Sequence, residues 1–236
     1  MNRPFSPIQI LYALKIILPK IGVTFGVVLG TVICGLLLAI FIVRQKFSKH
    51  RFWNIFADFY IHILRCSPSI VLLFIVFYGI PKFMLVLFGV NINFWPKMIF
   101  VIMALTLLYS AQLAEIIRSA LAAVGPGQYE AGIASGLSPF MTMVRIVIPQ
   151  AFVIAIPNLG NSLIALLKEG SLAYTIGLID MMGSGNLIIS RNYGAYALET
   201  YIALAIIYWG LTLLIENLFK FLEKQFSRGR RTVNAA

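Results

Sequence analysis

Charged residues are scarce in this chain of 236 residues, since Asp, Glu, Lys and Arg together make up only 11% of it and eight of them are acidic. An ordinary soluble domain carries about 25% charged residues. Hydrophobic residues account for 60% of the chain, and the mean hydropathy is +0.92. This composition argues against a secreted enzyme or a cytosolic nucleic-acid-binding protein and indicates a membrane protein.

Cysteine and histidine are also rare, with two residues of each. Cys34 and Cys66 lie in apolar stretches, where a thiol behaves as a small hydrophobic side chain, so no disulfide framework is expected. Neither His50 nor His62 belongs to a group of Cys, Asp or Glu residues with the spacing of metal ligands. We therefore predict neither redox chemistry nor a bound metal.

Long apolar runs predict an all-α protein with five membrane-spanning helices. Ile21 to Val43 contains no charged residue and, at about 1.5 Å per residue, is long enough to cross a hydrocarbon layer of about 30 Å. Four further spans are expected over 53–80, 96–118, 151–179 and 199–219, and in the fourth the crossing itself should run from Asn158 to Ile179. The uncharged run 83–95 is too short for a span and is a candidate re-entrant segment. A sixth span there would invert the orientation of everything that follows.

Basic residues flanking these spans predict the orientation, because short cytoplasmic loops carry an excess of Lys and Arg. Eleven lie on one side and six on the other: Arg44, Lys46, Lys49, Arg51, Arg118, Arg145, Lys220, Lys224, Arg228, Arg230 and Arg231 against Arg3, Lys15, Lys20, Lys82, Lys97 and Arg191. The N-terminus is therefore expected outside and the C-terminus in the cytoplasm. Residues 1–20 should form an interfacial segment, 21–220 a single transmembrane domain, and 221–236 a basic cytoplasmic tail.

The segment 125–149, between the third and fourth spans, is expected to be a cytoplasmic hairpin of two short helices. Gly136 can close the first helix in the left-handed conformation, Ser138 and Pro139 can start the second, and Pro149 should end it. The hairpin carries Glu130 and Arg145 as its only charges but keeps Ile133, Leu137, Phe140, Met141, Met143 and Val144. A loop this apolar must be shielded from water, either by a partner protein or by the chain's own membrane-spanning helices.

The same segment resembles the EAA loop of ABC importer permeases, whose pattern is Glu-Ala-Ala, three residues, Gly, nine residues, Ile, any residue, Leu and Pro. The matching positions are Glu130, Ala131, Gly136, Ile146 and Pro149. Two positions differ, because Gly132 replaces Ala and Ile148 replaces Leu.

Flanking segments are similar to the permease subunits of polar amino-acid importers of the histidine and glutamine type, and the likeness covers roughly residues 20 to 220. Five stretches carry it: Tyr60 with Arg65 to Pro68, Ala114 to Arg118, Gly127 to Ala131, Pro149 to Ala151, and Asn161 with Lys168 to Leu172. Cys66, Ser67, Glu169 and Gly170 depart from the family's residues at their positions.

The resemblance implies the type I importer permease fold in a bacterial cytoplasmic membrane, with the hairpin as the coupling helix that enters a groove of a separate ATP-binding subunit. The predicted contact residues are those of the pattern together with apolar residues of the hairpin: Glu130, Ala131, Gly132, Gly136, Ile146 and Pro149, with Leu137, Phe140 and Met143. The resemblance further implies a second permease chain, identical or paralogous, and an outer solute-binding protein that delivers a polar amino acid. No Gly-x-x-x-x-Gly-Lys-Ser/Thr phosphate loop occurs in the sequence, so this chain is not expected to be an enzyme; ATP and Mg²⁺ should be bound by the partner.

Ionisable residues inside spans are the candidates for a substrate path, because each needs a partner or a watery cavity. Lys168 and Glu169 are expected near the middle of the fourth span, where they could attract the carboxylate and the ammonium of an amino acid. Arg65, Glu115 and Asn161 are further candidates. An interhelical salt bridge or a snorkelling lysine is the structural alternative. Glu115 and Arg118, three residues apart, can also pair along one helix face.

Two other functions remain possible at this point. An ion-coupled secondary amino-acid transporter would explain the intramembrane charges without an ATPase, although no inverted repeat is visible. A membrane scaffold without a transport role would not require those charges.

Overall fold

The computed structural model describes residues 4–48 and 50–227, and all of the regular secondary structure in this part of the chain is helical. Eleven α-helices follow one another, some of them joined by short 3-10 or π-helical turns. Their bounds are α1 Pro7–Ile17, α2 Ile21–Lys46, α3 Arg51–Cys66, α4 Ser69–Phe74, α5 Ile80–Phe88, α6 Lys97–Ala123, α7 Pro126–Ala134, α8 Pro139–Thr142, α9 Ile148–Gly170, α10 Met181–Arg191 and α11 Ala197–Phe226.

Five helical stretches of the described residues are long and apolar enough to cross a membrane, which confirms the predicted number of spans. They are Pro7–Lys46, Ser69–Phe88, Lys97–Ala123, Pro139–Ile176 and Ala197–Phe226. The first is longer than expected, because the N-terminal segment continues into α2 through a 3-10 turn at Leu18–Lys20. The predicted basic tail begins inside α11, and residues 228–236 lie outside the described part.

The second span differs from the prediction of one helix over 53–80. The chain is extended at Ser67 (φ −84°, ψ 133°) and Pro68, because a residue before proline is pushed away from helical geometry. Asp58, His62 and Arg65 therefore lie on a separate helix, α3, and the span starts at Ser69. The run 83–95, named as a candidate re-entrant segment, instead contributes residues 83–88 to the end of this span.

The centre of the bundle is the contact between α2 and α6, which run parallel. Gly30 lies against Ile102 and Gly35 against Tyr109, and a Cβ atom on Gly30 would approach Ile102 Cδ1 to 2.8 Å. Small residues of this kind let membrane helices approach closely. α9 packs on the other side of α6, and α11 packs against α9. The buried core includes Val27, Phe100, Val101, Leu105, Leu113, Leu166 and Leu167.

The fourth span also corrects the sequence prediction, because neither Pro149 nor Pro157 ends a helix. Pro149 was expected to stop the second hairpin helix, but a π-helical turn over Met143–Val147 connects α8 directly to α9. In this turn the Ile148 N–H bonds to the carbonyl of Met143, five residues earlier, so the wider turn accommodates the proline ring. Pro157 lies inside α9, so the helix does not begin at Asn158.

Two ends of the bundle can be distinguished by what they carry. The hairpin end holds α7, α8 and the end of α11, where Phe152 stacks edge-on against Phe226 with ring centroids 5.7 Å apart. The far end holds the starts of α2 and α6, together with α1 and α10. There the Lys97 ammonium group donates to the Gly177 carbonyl at 3.3 Å, and the Ser6 N–H donates to Glu199 Oε1 at 3.0 Å.

Candidate functional site: an apolar hairpin and the charges of the spans

The hairpin consists of α7 and α8 joined by a tight turn, as predicted. Gly136 has φ +84°, and the Leu137 N–H bonds to the Gly132 carbonyl at 3.1 Å, which closes the end of α7. The Ser138 hydroxyl accepts a hydrogen bond from the Met141 N–H at 3.3 Å and so caps α8. Because α8 continues into α9, the hairpin is a helical extension of the fourth span.

Gly132 allows the two arms of the hairpin to touch. It is buried, and a Cβ atom at this position would lie 2.5 Å from Thr142 Cγ2 and 3.1 Å from Ile146 Cδ1. Thr142 is itself buried and branched at Cβ, so it has little freedom to move away. The departure from the Glu-Ala-Ala pattern is therefore explained by the close packing of this particular hairpin.

Replacing Gly132 with alanine should loosen the hairpin, since overpacking of this kind costs about 1 to 3 kcal/mol. We expect Gly132→Ala to lower transport several-fold without reducing the amount of protein in the membrane. The double variant Gly132→Ala/Thr142→Ala, which removes the clashing atoms, should recover most of the activity. If the double variant is no better than the single one, the clash with Thr142 is not the reason for the glycine.

The outer surface of the hairpin is apolar. Phe140 is 73% exposed and Ile133 is 39% exposed, and Met141 and Val144 are exposed as well. Glu130 and Ala131 of α7 also face outward, as do Gly136 and Pro149, whereas Leu137, Met143 and Ile146 are partly buried. The predicted coupling residues thus form two groups. One group is exposed on the surface, and the other, which includes the buried Gly132, lies between the two arms of the hairpin.

A cluster of charges lies next to the hairpin, where α2, α3 and α6 meet. Glu115 accepts hydrogen bonds from Arg118 Nε at 2.9 Å and Nη2 at 2.6 Å, which confirms the predicted pairing along α6. Lys46 forms an ion pair with Asp58. Arg65 and Lys46 are also close enough to Glu115 to act on its charge. The Lys46–Asp58 pair was missed, because the sequence placed Asp58 inside a span rather than on a separate helix.

A cavity of about 570 Å³ separates this cluster from the hairpin. Lys46 and Arg118 of the cluster line it, together with Gly125, Tyr129 and Met143 of the hairpin segment. The first turn of the hairpin therefore lines the same cavity as Lys46 and Arg118, two cations of the charge cluster. A movement of the hairpin would change the surroundings of both ion pairs.

Lys168 and Glu169 lie in the last turn of α9, closer to the far end than expected. The middle of α9 (Ile148–Gly170) is Leu159, and Lys168 lies roughly 13 Å beyond it along the helix. Lys168 and Glu169 are displaced from the middle because α9 continues without interruption through Pro157. The helix therefore starts earlier than predicted, and its middle lies closer to the hairpin. Lys168 is exposed, whereas Glu169 is partly buried near Ser69, at the start of the second span.

The five predicted path residues occupy three places. Arg65 and Glu115 belong to the charge cluster, and Lys168 and Glu169 lie nearer the far end. Asn161 lines a cavity between α9 and α11. Because Asn161 and Lys168 are seven residues apart, they share one face of α9, and both are exposed.

Asp180 is a buried carboxylate that sequence analysis did not assign to a site. It caps α10, with Oδ1 accepting from the Gly183 N–H at 2.8 Å, and only 1% of the residue is exposed. Burial raises the pKa of this carboxyl group from 3.8 to about 6, against the opposing effect of the Gly183 and Met182 N–H groups. An aspartate immediately before a helix is a capping signal that could have been found in the sequence.

Comparison with known proteins identifies the family. Residues 31–228 match the family described as binding-protein-dependent transport system inner membrane component. The chain belongs to this family. It is accordingly a multi-pass inner-membrane protein and a permease subunit of a transport system.

Individual relatives agree with this assignment. The chain is 36% identical over 211 residues to the L-cystine transport system permease protein TcyL of Bacillus subtilis (strain 168), covering 89% of this chain and 87% of that protein. It is 33% identical over 226 residues to the arginine transport system permease protein ArtQ of the same organism, covering 95% and 98%.

Solved structures share the fold. The crystal structure of an amino acid ABC transporter with histidines matches with a TM-score of 0.83 and 31% identity, covering 94% of this chain and 100% of that one. An inward-facing structure of the MetNI methionine ABC transporter matches with a TM-score of 0.67 at 18% identity, which shows the fold alone. None of these similarities supports an ion-coupled secondary transporter.

Proposed function

We propose that this chain is the permease subunit of an ATP-driven importer of polar amino acids, and that its hairpin couples the spans to a separate ATP-binding subunit. The observation that carries the proposal is the exposed, apolar hairpin with Glu130 on its surface, in a chain of the transport-system family. An apolar surface of this kind, rimmed by a single carboxylate, suits a protein partner. The names of the relatives, which include cystine and arginine permeases, favour an amino acid as the substrate.

The continuity of α8 and α9 supplies the mechanism. A displacement of the hairpin is transmitted along a continuous helical path to the last turn of α9, which carries Lys168 and Glu169. When ATP closes the partner subunits, the two hairpins of a permease pair would change their spacing and bias the spans between inward-open and outward-open states. The ion pairs of the charge cluster beside the hairpin would then be arranged differently in the two states.

The substrate path would be lined by the polar face of α9. Lys168 can attract a carboxylate and Glu169 an ammonium group, and Asn161 extends the same face toward the hairpin. Asn161 and Lys168 are exposed in the single chain, whereas Glu169 is partly buried, so a second permease chain, identical or paralogous, would close the path. Arg65 and Glu115 would contribute at the inner end of the path rather than next to Lys168.

Orientation and partners follow from this assignment. The hairpin end and the C-terminus would lie in the cytoplasm, with the N-terminus outside, as the distribution of basic residues predicts. ATP and Mg²⁺ would bind to the partner subunit and not to this chain. A solute-binding protein would deliver the amino acid at the far end.

Uptake into reconstituted vesicles tests this function. Vesicles containing the chain, its ATP-binding subunit and internal ATP should import the amino acid presented with the solute-binding protein, in the absence of an ion gradient. Vesicles without ATP or without the ATP-binding subunit should not. Uptake driven by an ion gradient alone would indicate a secondary transporter, and no uptake under either condition would favour a scaffold.

A further inference from the structure

A second cavity, of about 750 Å³, opens at the far end of the bundle between α1 and α10. It is distinct from the α9 face and from the cavity beside the hairpin. Lys20, at the junction of α1 and α2, and Arg191, in the last turn of α10, both line it. Apolar side chains of α1 and α10, among them Ile8, Ile16 and Leu187, form much of the remaining wall.

The two cations in this cavity have no ionic partner within the part of the chain that the structure describes. Lys20 and Arg191 take part in none of the ion pairs found there, and no lining residue is acidic. Asp180 and Glu199 of the neighbouring segments do not line the cavity, and their carboxylates accept hydrogen bonds from the Gly183 and Ser6 N–H groups instead. The lining of the cavity therefore carries two positive charges and no negative charge.

The position of the cavity relates it to the membrane surface. Lys20 immediately precedes α2 and is the last charged residue before the uncharged stretch Ile21 to Val43 of the first span. Tyr12 lines the cavity as well, and tyrosine is enriched at the boundary between lipid and water. On α1, Ile8 is 74% exposed and Leu11, one turn further along, is also exposed, as is Leu18 in the 3-10 turn that follows α1. An apolar surface thus leads from the cavity to the lipid-facing side of the helix.

We propose that this cavity binds one anionic phospholipid. The phosphate contacts Lys20 and Arg191, and an acyl chain follows the apolar surface of α1. Charge complementarity selects an anionic group, while the continuous apolar wall selects a lipid over an acidic segment of a protein partner, which would leave Ile8 and Leu11 uncovered.

Lipid retention measured by native mass spectrometry tests the proposal on the full-length chain. The protein is purified from nanodiscs that contain phosphatidylglycerol and phosphatidylcholine in equal amounts. Lys20→Gln and Arg191→Gln should each lower phosphatidylglycerol retention about fivefold, and the double variant about thirtyfold. Lys15→Gln is the matched control, because this exposed lysine of α1 does not line the cavity and should retain the lipid as the wild type does.

Four results would overturn the proposal. The first is equal retention of phosphatidylglycerol and phosphatidylcholine by the wild type, and the second is unchanged lipid retention by the double variant. The third is displacement of the lipid by millimolar inorganic phosphate or glycerol phosphate, and the fourth is a double variant that keeps its lipid but no longer binds the solute-binding protein. The third result would indicate a small-anion site, and the fourth a docking surface for a protein. Size-exclusion elution of the double variant at the wild-type volume serves as the control for folding.

Discussion

Replacing Glu130 with lysine is expected to abolish uptake while the protein still inserts into the membrane. Glu130 lies on the outward surface of α7, and Arg145 is the only other charge of the hairpin. A carboxylate in this position can pair with a basic residue of the ATP-binding subunit. Removing one partner of a desolvated charge pair costs about 2 to 5 kcal/mol, so a reversal of charge should weaken the interaction by at least about thirtyfold.

The matched control for this variant is Glu223→Lys. Glu223 is exposed at the same end of the bundle, on α11, and lies outside the hairpin. It should retain near-normal uptake at an equal amount of membrane protein. Normal uptake by Glu130→Lys, or an equal loss in both variants, would contradict the assignment of Glu130 as the coupling contact.

Neutralising the charges of α9 should impair uptake through substrate binding. Charge-assisted hydrogen bonds contribute about 1.5 to 3 kcal/mol, so Lys168→Met and Glu169→Gln should each raise the KM for the amino acid by about tenfold or more. Binding of the substrate to the solute-binding protein should not change, which separates the path from the first recognition step. Glu169 is the more constrained of the two, because it is partly buried near Ser69 at the start of the second span.

Lys82→Met provides the control for a lost lysine, because Lys82 is exposed on α5 and has no assigned role. It should leave both KM and the maximal rate of uptake unchanged. If Lys168→Met and Glu169→Gln behaved in the same way, the polar face of α9 would not line the path. A snorkelling lysine and a partly buried structural carboxylate would then explain these two residues.

The number of spans and the hairpin could be predicted because both depend on local signals. Apolar runs of sufficient length determine the spans, and Gly136 and Ser138 determine the turn and the cap of the hairpin through their own backbone geometry and side chain. The errors arose at prolines. Pro68 separates two helices because the chain is extended before it, whereas Pro149 follows a π-helical turn that makes room for its ring, and sequence alone does not distinguish the two cases.

The candidate site could be predicted only in part, since its arrangement depends on contacts between distant segments. The Glu115–Arg118 pair lies within one helix and was foreseen, but the Lys46–Asp58 pair depends on how α3 packs against α2. The depth of Lys168 depends on α9 continuing through Pro157. The tight contact of Gly132 with Thr142 likewise requires both arms of the hairpin in place.

Photocrosslinking from the tip of the hairpin tests the central claim most directly. A photoreactive residue in place of Phe140, which projects from α8, should crosslink to the ATP-binding subunit in intact membranes. The same residue in place of Tyr193, which is 99% exposed between α10 and α11 at the far end, should not. The predicted result is a crosslink to the ATP-binding subunit from position 140 and none from position 193. The account would be contradicted if position 140 gave no such crosslink and was instead labelled by a membrane-impermeant reagent from outside the cell.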